Sequence, residues 1–338
     1  MLSLVVPCYN EEGNVEKFFT EVNRVFKDKV SDYEFVFVND GSKDKTYQNL
    51  KKIHEASPKN VHVLSFSRNF GKEGAIYAGL SHAKGDLVCL IDADLQQRPE
   101  VVLEMLDVMN SDSELDCVTA YQAKRKEGGL MSGIKSLFYK VINKMSDVNF
   151  VNGASDFRLM KRNMVDAVLQ MTEFHRFSKG IFSYVGFNTK YIPYEVAERD
   201  SGESKWGFRK LLKYGIDGIL SFSTAPLKIS TYIGLTSSFI SLVYLIVVVI
   251  QKLCFGIPVH GFATLAVIIL FVGGIQLFCL GVLGGYISKM YVQGKNRPVY
   301  ILRDQLAPDP EKVPVPLVKE DEHEQSEEKS KEEENEQN

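Results

Sequence analysis

The sequence has only five cysteines, Cys8, Cys89, Cys117, Cys254 and Cys279, and no C-x-x-C pair. An odd count at scattered positions fits neither a disulfide framework nor a zinc site. They read as small buried hydrophobes. There is no G-x-G-x-x-G and no G-x-x-x-x-G-K-[ST], and Gly71-Lys72-Glu73-Gly74 has the wrong spacing for either. Dinucleotide-dependent hydride transfer and P-loop chemistry thereby lose their main support. No Ser-His-Asp order and no metal-type histidine spacing is present, so hydrolase and zinc readings have no residues to stand on. No basic excess points to nucleic acid, the net charge being −3. The start, MLSLVVPCYNEE, lacks the basic stretch and long apolar core of a secretory signal and is expected to open with a buried strand.

Charge is also missing locally. The 338 residues are 45% hydrophobic and 25% charged, ordinary averages that exclude a wholly disordered chain and a bundle of membrane helices alone. Those averages are a cancellation. Residues 1–228 hold 31 Lys+Arg against 30 Asp+Glu, whereas 229–288 carry one formal charge, Lys252. Residues 289–308 have a balance of +3, and 309–338 a balance of −8. The run 229–250 is 22 residues without a charge, about 33 Å as a helix, which matches a hydrocarbon core. A second uncharged run, 262–287, is rich in glycine, suited to close packing against the first helix or a neighbouring chain.

Basic residues flank this pair: Arg209, Lys210, Lys213 and Lys228 before it, Lys289, Lys295, Arg297 and Arg303 after it. The positive-inside rule then puts both ends in the cytoplasm. Just ahead, Phe208, Leu211, Leu212, Gly215, Ile216, Ile219 and Leu220 recur at helical spacing opposite Lys205, Arg209, Lys210 and Lys213. That pattern predicts an amphipathic helix lying in the headgroup layer. The expected organisation is a cytosolic domain over 1–205, an amphipathic helix over 206–228, a membrane hairpin over 229–288, a basic segment over 289–308 and a disordered acidic tail over 309–338.

Within 1–205, short β-rich apolar runs at 2–7, 34–39, 61–66, 86–91 and 116–121 alternate with amphipathic stretches at 15–26, 46–54 and 99–109. Such alternation predicts an α/β domain with a mainly parallel, Rossmann-like sheet, whose ligands bind at the carboxyl ends of the strands. Asp92 and Asp94 follow the apolar run 87–91, and with Gln96 they form a period-two series at its tip. Two carboxylates and an amide oxygen are hard donors suited to Mg²⁺ or Mn²⁺ bridging a diphosphate.

Taken with Val6-Pro7-Cys8-Tyr9-Asn10-Glu11, Val38-Asn39-Asp40-Gly41-Ser42, the S-R-N-F-G-K-E of 67–73, the G-A-S-D-F-R-L of 153–159, the F-H-R-F-S-K-G of 174–180 and the R-D-S-G-E-S-K-W of 199–206, this D-A-D-L-Q resembles the family-two glycosyltransferases with a GT-A fold. The last motif and two C-terminal helices make it similar to the polyprenyl-phosphate branch, which includes dolichol-phosphate mannose synthase and the bactoprenol glucosyltransferases. The likeness covers residues 1–303, and the Q-x-x-R-W of the processive synthases is absent. It implies inverting transfer of one sugar from a nucleotide-diphosphate sugar to polyprenyl phosphate at the cytoplasmic membrane face, by a metal-dependent enzyme that forms homo-oligomers. UDP-glucose and UDP-N-acetylglucosamine are the favoured donors, and the product would supply cell-envelope glycosylation.

On this resemblance, Pro7, Tyr9, Glu11, Asp40, Lys72 and Asp92 are the candidate nucleotide-sugar contacts, and Asp92, Asp94 and Gln96 the metal ligands. Asp156, Asp94 and Arg199 are the candidate catalytic residues, Asp156 as base or as orienter of the nucleophile. Arg125, Arg199, Ser204 and Lys205 are the candidate clamp on the acceptor phosphate. His175 and Arg176 are read either as functional, in a phosphate site or as acid/base, or as packing. Two alternatives stay open: a GDP-mannose-dependent synthase of the dolichol type, and an inactive membrane scaffold with this fold.

Overall fold

The computed structural model describes residues 1–122, 154–195, 223–255 and 261–309, together with 311 and 314. The candidates Arg125, Arg199, Ser204 and Lys205, the amphipathic stretch 208–220 and nearly all of the acidic tail lie outside them. The chain order is β1 (Leu2–Cys8), α1 (Val15–Phe26), β2 (Tyr33–Asn39), α2 (Thr46–Ala56), β3 (Val61–Phe66), α3 (Lys72–His82), β4 (Leu87–Leu90), α4 (Pro99–Ser111) and β5 (Cys117–Gln122). After the gap come β6 (Ala154–Lys161), α5 (Arg162–Gln170), α6 (Ser178–Tyr184), β7 (Thr189–Tyr194), α7 (Ala225–Phe255), α8 (Phe262–Gly294) and β8 (Leu302–Leu306).

The eight strands form one sheet in the order β7-β5-β6-β4-β1-β2-β3-β8. β1 pairs in parallel with β2 and β4, β2 with β3, and β5 with β7. β6 runs antiparallel to β4 and β5, and β8 antiparallel to β3. Alternate residues of each strand feed two cores. Leu4, Val6, Phe35 and Phe37 pack under α1, α2 and α4, while Val5, Val36, Val38 and Leu64 pack under α3, α5 and α6. Helix α3 lies close against this second face: a Cβ at Gly79 would stand 2.3 Å from Val5 Cγ1. Cys8, Cys89 and Cys117 are buried and unbridged, as expected of small hydrophobes.

α7 and α8 are apolar, and none of the residues in their most hydrophobic windows is buried. They are longer than the uncharged runs of the sequence, because a helix continues until its backbone geometry changes and not where charge begins. α8 runs on past Lys289 to Gly294. α8 touches α7 through Cys279 Sγ, 3.7 Å from the Ser230 carbonyl, and the Tyr286 hydroxyl donates at 2.5 Å to the carbonyl of Ser223, two residues before α7. Gly273, Gly274, Gly281 and Gly284 do not face α7: a Cβ at any of them meets open space.

The stretch 289–308, expected as a basic juxtamembrane segment, is corrected in part. Its first residues finish α8, and Leu302–Leu306 is an edge strand of the sheet. Leu302 and Leu306 alternate with the exposed Arg303 and Gln305, the pattern of a strand with one wet face. Tyr300 stacks on Phe66 at 5.1 Å, and the Ser67 N–H donates to the Ile301 carbonyl at 3.0 Å.

Candidate active site

β1, β2, β3 and β4 are parallel and end on one edge of the sheet, where the backbone must turn. Gly41, with φ +62°, turns the chain after β2 so closely that a Cβ there would stand 2.3 Å from the Arg68 carbonyl carbon. Beside it, Asp40 is 2% exposed. Its Oδ1 accepts the Phe70 N–H at 2.6 Å and its Oδ2 the Gly71 N–H at 2.9 Å. Burial pushes this carboxyl up, and the two N–H groups pull against that shift. Asp40 therefore holds the turn at Gly71 (φ +94°), from which α3 starts with Lys72. Asp40, a candidate nucleotide contact from the sequence, is thus also the residue that shapes the turn beneath the strand tips.

β4 and β6 are antiparallel with Leu90 opposite Arg158, which leaves Asp92, past the end of β4, and Asp156, two residues before Arg158, at the same end of the sheet. Lys72 stands between the two. Its Nζ is 2.7 Å from Asp92 Oδ1, 2.9 Å from Asp92 Oδ2 and 3.4 Å from Asp156 Oδ2. Desolvation works against the Lys72 ammonium, but Asp92 and Asp156 outweigh it and hold the group charged. For Asp156 the burial that would raise its pKa is overcome by Lys72, Lys179 and Arg158, so its carboxyl lies below the usual range. Arg158, 5% exposed, supports β6 from within. It donates to the Asp156 and Ser155 carbonyls at 3.3 and 3.0 Å and lies 3.8 Å from the Phe182 ring centre.

The D-x-D turn differs in detail from the expected alternation. β4 ends at Leu90, and residues 92–97 turn with Leu95 at φ +56°, a left-handed conformation costing about 1–2 kcal/mol for a residue with a Cβ. Period two stops there, so the amide that reaches Asp92 is that of Gln97, not Gln96. Gln97 Oε1 accepts the Asp92 N–H at 2.9 Å, and its Nε2 donates to Asp92 Oδ2 at 3.1 Å. Gln96 meets Asp94 through its own backbone N–H at 3.1 Å.

Among the described residues no group of three or more His, Cys, Asp or Glu side chains converges for a metal. Magnesium-type sites on enzymes that bind phosphates ordinarily use one or two carboxylates, with water and phosphate oxygens completing the shell. Asp92 and Asp94 fit that pattern, and the cationic Lys72 already lies on Asp92.

Of the remaining candidates, Pro7 and Tyr9 sit at the tip of β1, with Tyr9 44% exposed. Glu11 is held by its neighbours: its N–H donates to Thr46 Oγ1 at 2.8 Å, and its Oε2 accepts from Asn14 Nδ2 at 2.6 Å. Arg176 is buried, donates to the Met171 and Val168 carbonyls and lies 4.4 Å from the Tyr77 ring centre. Of its two readings, packing is the one the structure supports. Glu73, the residue after Lys72, was not singled out from the sequence, yet its carboxylate accepts both the N–H and the hydroxyl of Ser178 at the start of α6.

Known proteins decide what this edge belongs to. The family model for glycosyl transferase family 2 matches residues 3–169, and one for the GtrB C-terminal hairpin matches residues 225–290. An SfII prophage-derived bactoprenol glucosyl transferase of Shigella flexneri is 43% identical over 303 residues, covering 89% of this chain and 97% of its own. The chain belongs to glycosyl transferase family 2. An uncharacterized glycosyltransferase of Synechocystis, sll0501, is 39% identical over 303 residues, 90% of this chain and 95% of that protein. Among solved structures, mannosyl-3-phosphoglycerate synthase from Rubrobacter xylanophilus aligns at 17% identity and a TM-score of 0.46, over 65% of this chain and 71% of that one. As a family 2 glycosyltransferase the protein has the GT-A fold class: a mostly parallel sheet with flanking helices, followed by two apolar C-terminal helices.

Proposed function

We propose that this glycosyltransferase moves one sugar, with inversion, from a nucleotide-diphosphate sugar to polyprenyl phosphate at the cytoplasmic face of a membrane, with UDP-glucose or UDP-N-acetylglucosamine as donor. The observation that carries this reading is β8. The chain leaves the catalytic sheet, runs through two helices long and apolar enough to cross a membrane, and returns to the same sheet as its edge strand. Both ends of the hairpin then lie on the catalytic side, and the sheet is tied to the membrane surface where a lipid phosphate is presented. The 43% identical relative named a bactoprenol glucosyl transferase supports the acceptor class.

In this reading the nucleoside lies over the tips of β1 and β2, beside Pro7, Tyr9 and Glu11, with Asp40 shaping the turn beneath. A divalent ion held by Asp92 and Asp94 would act as a Lewis acid on the departing diphosphate. Lys72 adds a fixed cation at the same place and can exchange a carboxylate for a diphosphate oxygen without leaving the site. The acceptor is a phosphate monoester with a second pKa of about 6, so it arrives largely ionised and needs little help from a base. Asp156, held ionised by Lys72, serves better to aim that ammonium than to take a proton. Arg125, Arg199, Ser204 and Lys205 are the proposed acceptor clamp. Residues 1–205 form the proposed catalytic unit, which the structure of β8 extends by one strand.

The test is incubation of the full chain in nanodiscs with undecaprenyl phosphate, Mg²⁺ or Mn²⁺ and a panel of UDP- and GDP-sugars, with lipid products read by mass. A hexosyl or N-acetylhexosaminyl phosphoprenol from a UDP donor is expected. Product from GDP-mannose alone would replace the donor, and no product from any donor would sink the transferase reading.

A further inference from the structure

Among the described contacts, one side chain near the end of α8 reaches a backbone stretch that leads to the site. Gln293 lies six residues beyond Ile287, the end of the uncharged run, which is about 9 Å further along a helix axis. Its Oε1 accepts the Phe174 N–H at 2.8 Å, and its Nε2 donates to the Thr172 carbonyl at 3.2 Å. A single amide thus satisfies a donor and an acceptor of one short backbone stretch that belongs to no helix or strand. That stretch runs directly into α6. The first residue of α6, Ser178, grips the Glu73 carboxylate with its N–H and hydroxyl. Glu73 follows Lys72, whose ammonium joins Asp92 to Asp156. On its other side the end of α8 is fixed by the Tyr300–Phe66 stack and by β8.

We propose that Gln293 is a positioning residue: it clasps the 172–174 turn to the cytoplasmic end of α8 and so sets the height of the Lys72–Asp92–Asp156 cluster above the membrane. This role rests on the lipid-acceptor reading given above. A lipid phosphate is confined to the headgroup layer, so the site must be brought to its depth, whereas a soluble nucleotide sugar arrives from any height. A residue that sets height therefore acts on the acceptor and not on the donor. The amide is suited to this place, since it bonds in both directions without carrying a charge to the interface.

Two measurements on the full chain in nanodiscs test this, comparing wild type with Gln293→Ala. Amide hydrogen exchange of 172–184 is expected to rise about fivefold or more in the variant, with β1 and β2 unchanged. The KM for undecaprenyl phosphate is expected to rise about five- to tenfold, while the KM for the nucleotide sugar and the rate with a short-chain, water-soluble prenyl phosphate stay within about twofold. Unaltered exchange at 172–184 overturns the clasp. Equal shifts in both KM values, or an equal loss with the short-chain acceptor, overturn the role in setting height. If wild type makes no lipid product at all, the functional reading fails, and the exchange result still judges the clasp by itself.

Discussion

Leu4, Phe35 and Leu64 in the sheet are fully buried, while Leu253, Leu270 and Leu277 on the two C-terminal helices are 79%, 75% and 72% exposed. The same kinds of side chain are placed in opposite ways within one chain. In the sheet, apolar surface is removed from water by other apolar surface. On the helices nothing among the described residues covers it, which is the arrangement for a hydrocarbon solvent, where each backbone group is satisfied within its own helix. Polar groups show the reverse contrast. The sheet concentrates Asp40, Lys72, Asp92, Asp94 and Asp156 at one edge, whereas 229–288 contain Lys252 as the one formal charge. In the proposed function, chemistry belongs to the first region and placement to the second, and β8 joins them.

Four substitutions probe this division. The largest effect is expected at the strand tips. Asp94→Asn and Asp92→Asn should each lower kcat by about a thousandfold or more, on the scale seen when a fixed transition-state contact is lost, with the thermal midpoint little changed. Activity that survives both changes would remove chemistry from this edge. In the core, Phe37→Ala deletes a fully buried ring that stacks at 5.4 Å on Phe35 and should cost about 3–5 kcal/mol in denaturant unfolding. In the hairpin, Leu245→Arg should leave the unfolding of the sheet domain unchanged. Instead it should reduce the membrane-integrated fraction, at an insertion cost of about 3 kcal/mol. Destabilisation of the sheet domain by that change would mean that α7 is packed protein and not membrane.

The smallest effect concerns pH. His62 on β3 is 3% exposed, and its Nε2 receives the Gln305 side-chain amide of β8 at 2.9 Å. Burial, with the nearby His82, Lys84 and His54, pushes its pKa from 6.5 down to about 4. The unfolded chain therefore binds a proton that the folded chain refuses between those values. The His62 contribution is full above about pH 6.5 and is lost as pH falls toward 4, by at most about 3 kcal/mol. His62→Gln should flatten the unfolding free energy across that window. An unchanged slope would show that His62 is not kept neutral by the fold.

Much of the sheet was legible because its strands are short apolar runs between amphipathic helices. The helix at 15–26 was read to the residue, and strands β1 to β5 within a residue or two. α3 was not read, since Gly74, Ala75, Ile76, Ala78, Gly79 and Leu80 are all buried and leave no polar stripe to reveal a helical period. β8 was hidden by Arg303 and Asp304, which read as part of a charged collar. At the site, Asp92, Asp94, Lys72 and Asp156 could be named from motifs, but the meeting of Lys72 with Asp92 and Asp156 could not. It depends on the antiparallel register of β6 against β4, a long-range property no local pattern carries. Gln97 was displaced from notice by one position, because Leu95 takes a left-handed turn that ends the alternation. The backbone contacts of Asp40 were hidden for a similar reason: a strand-end carboxylate looks open in sequence, and only the fold of residues 68–71 brings the Phe70 and Gly71 N–H groups to it.

The central claim is that the carboxylates bridged by Lys72 form the place where sugar passes to a lipid phosphate. Its most direct test is the yield of sugar-phosphoprenol, by lipid mass spectrometry, from wild type and Asp156→Asn reconstituted with undecaprenyl phosphate, UDP-glucose and Mg²⁺. The account predicts a folded variant that still binds the nucleotide and makes almost no lipid product beside an active wild type. Wild-type product yield from Asp156→Asn would contradict it.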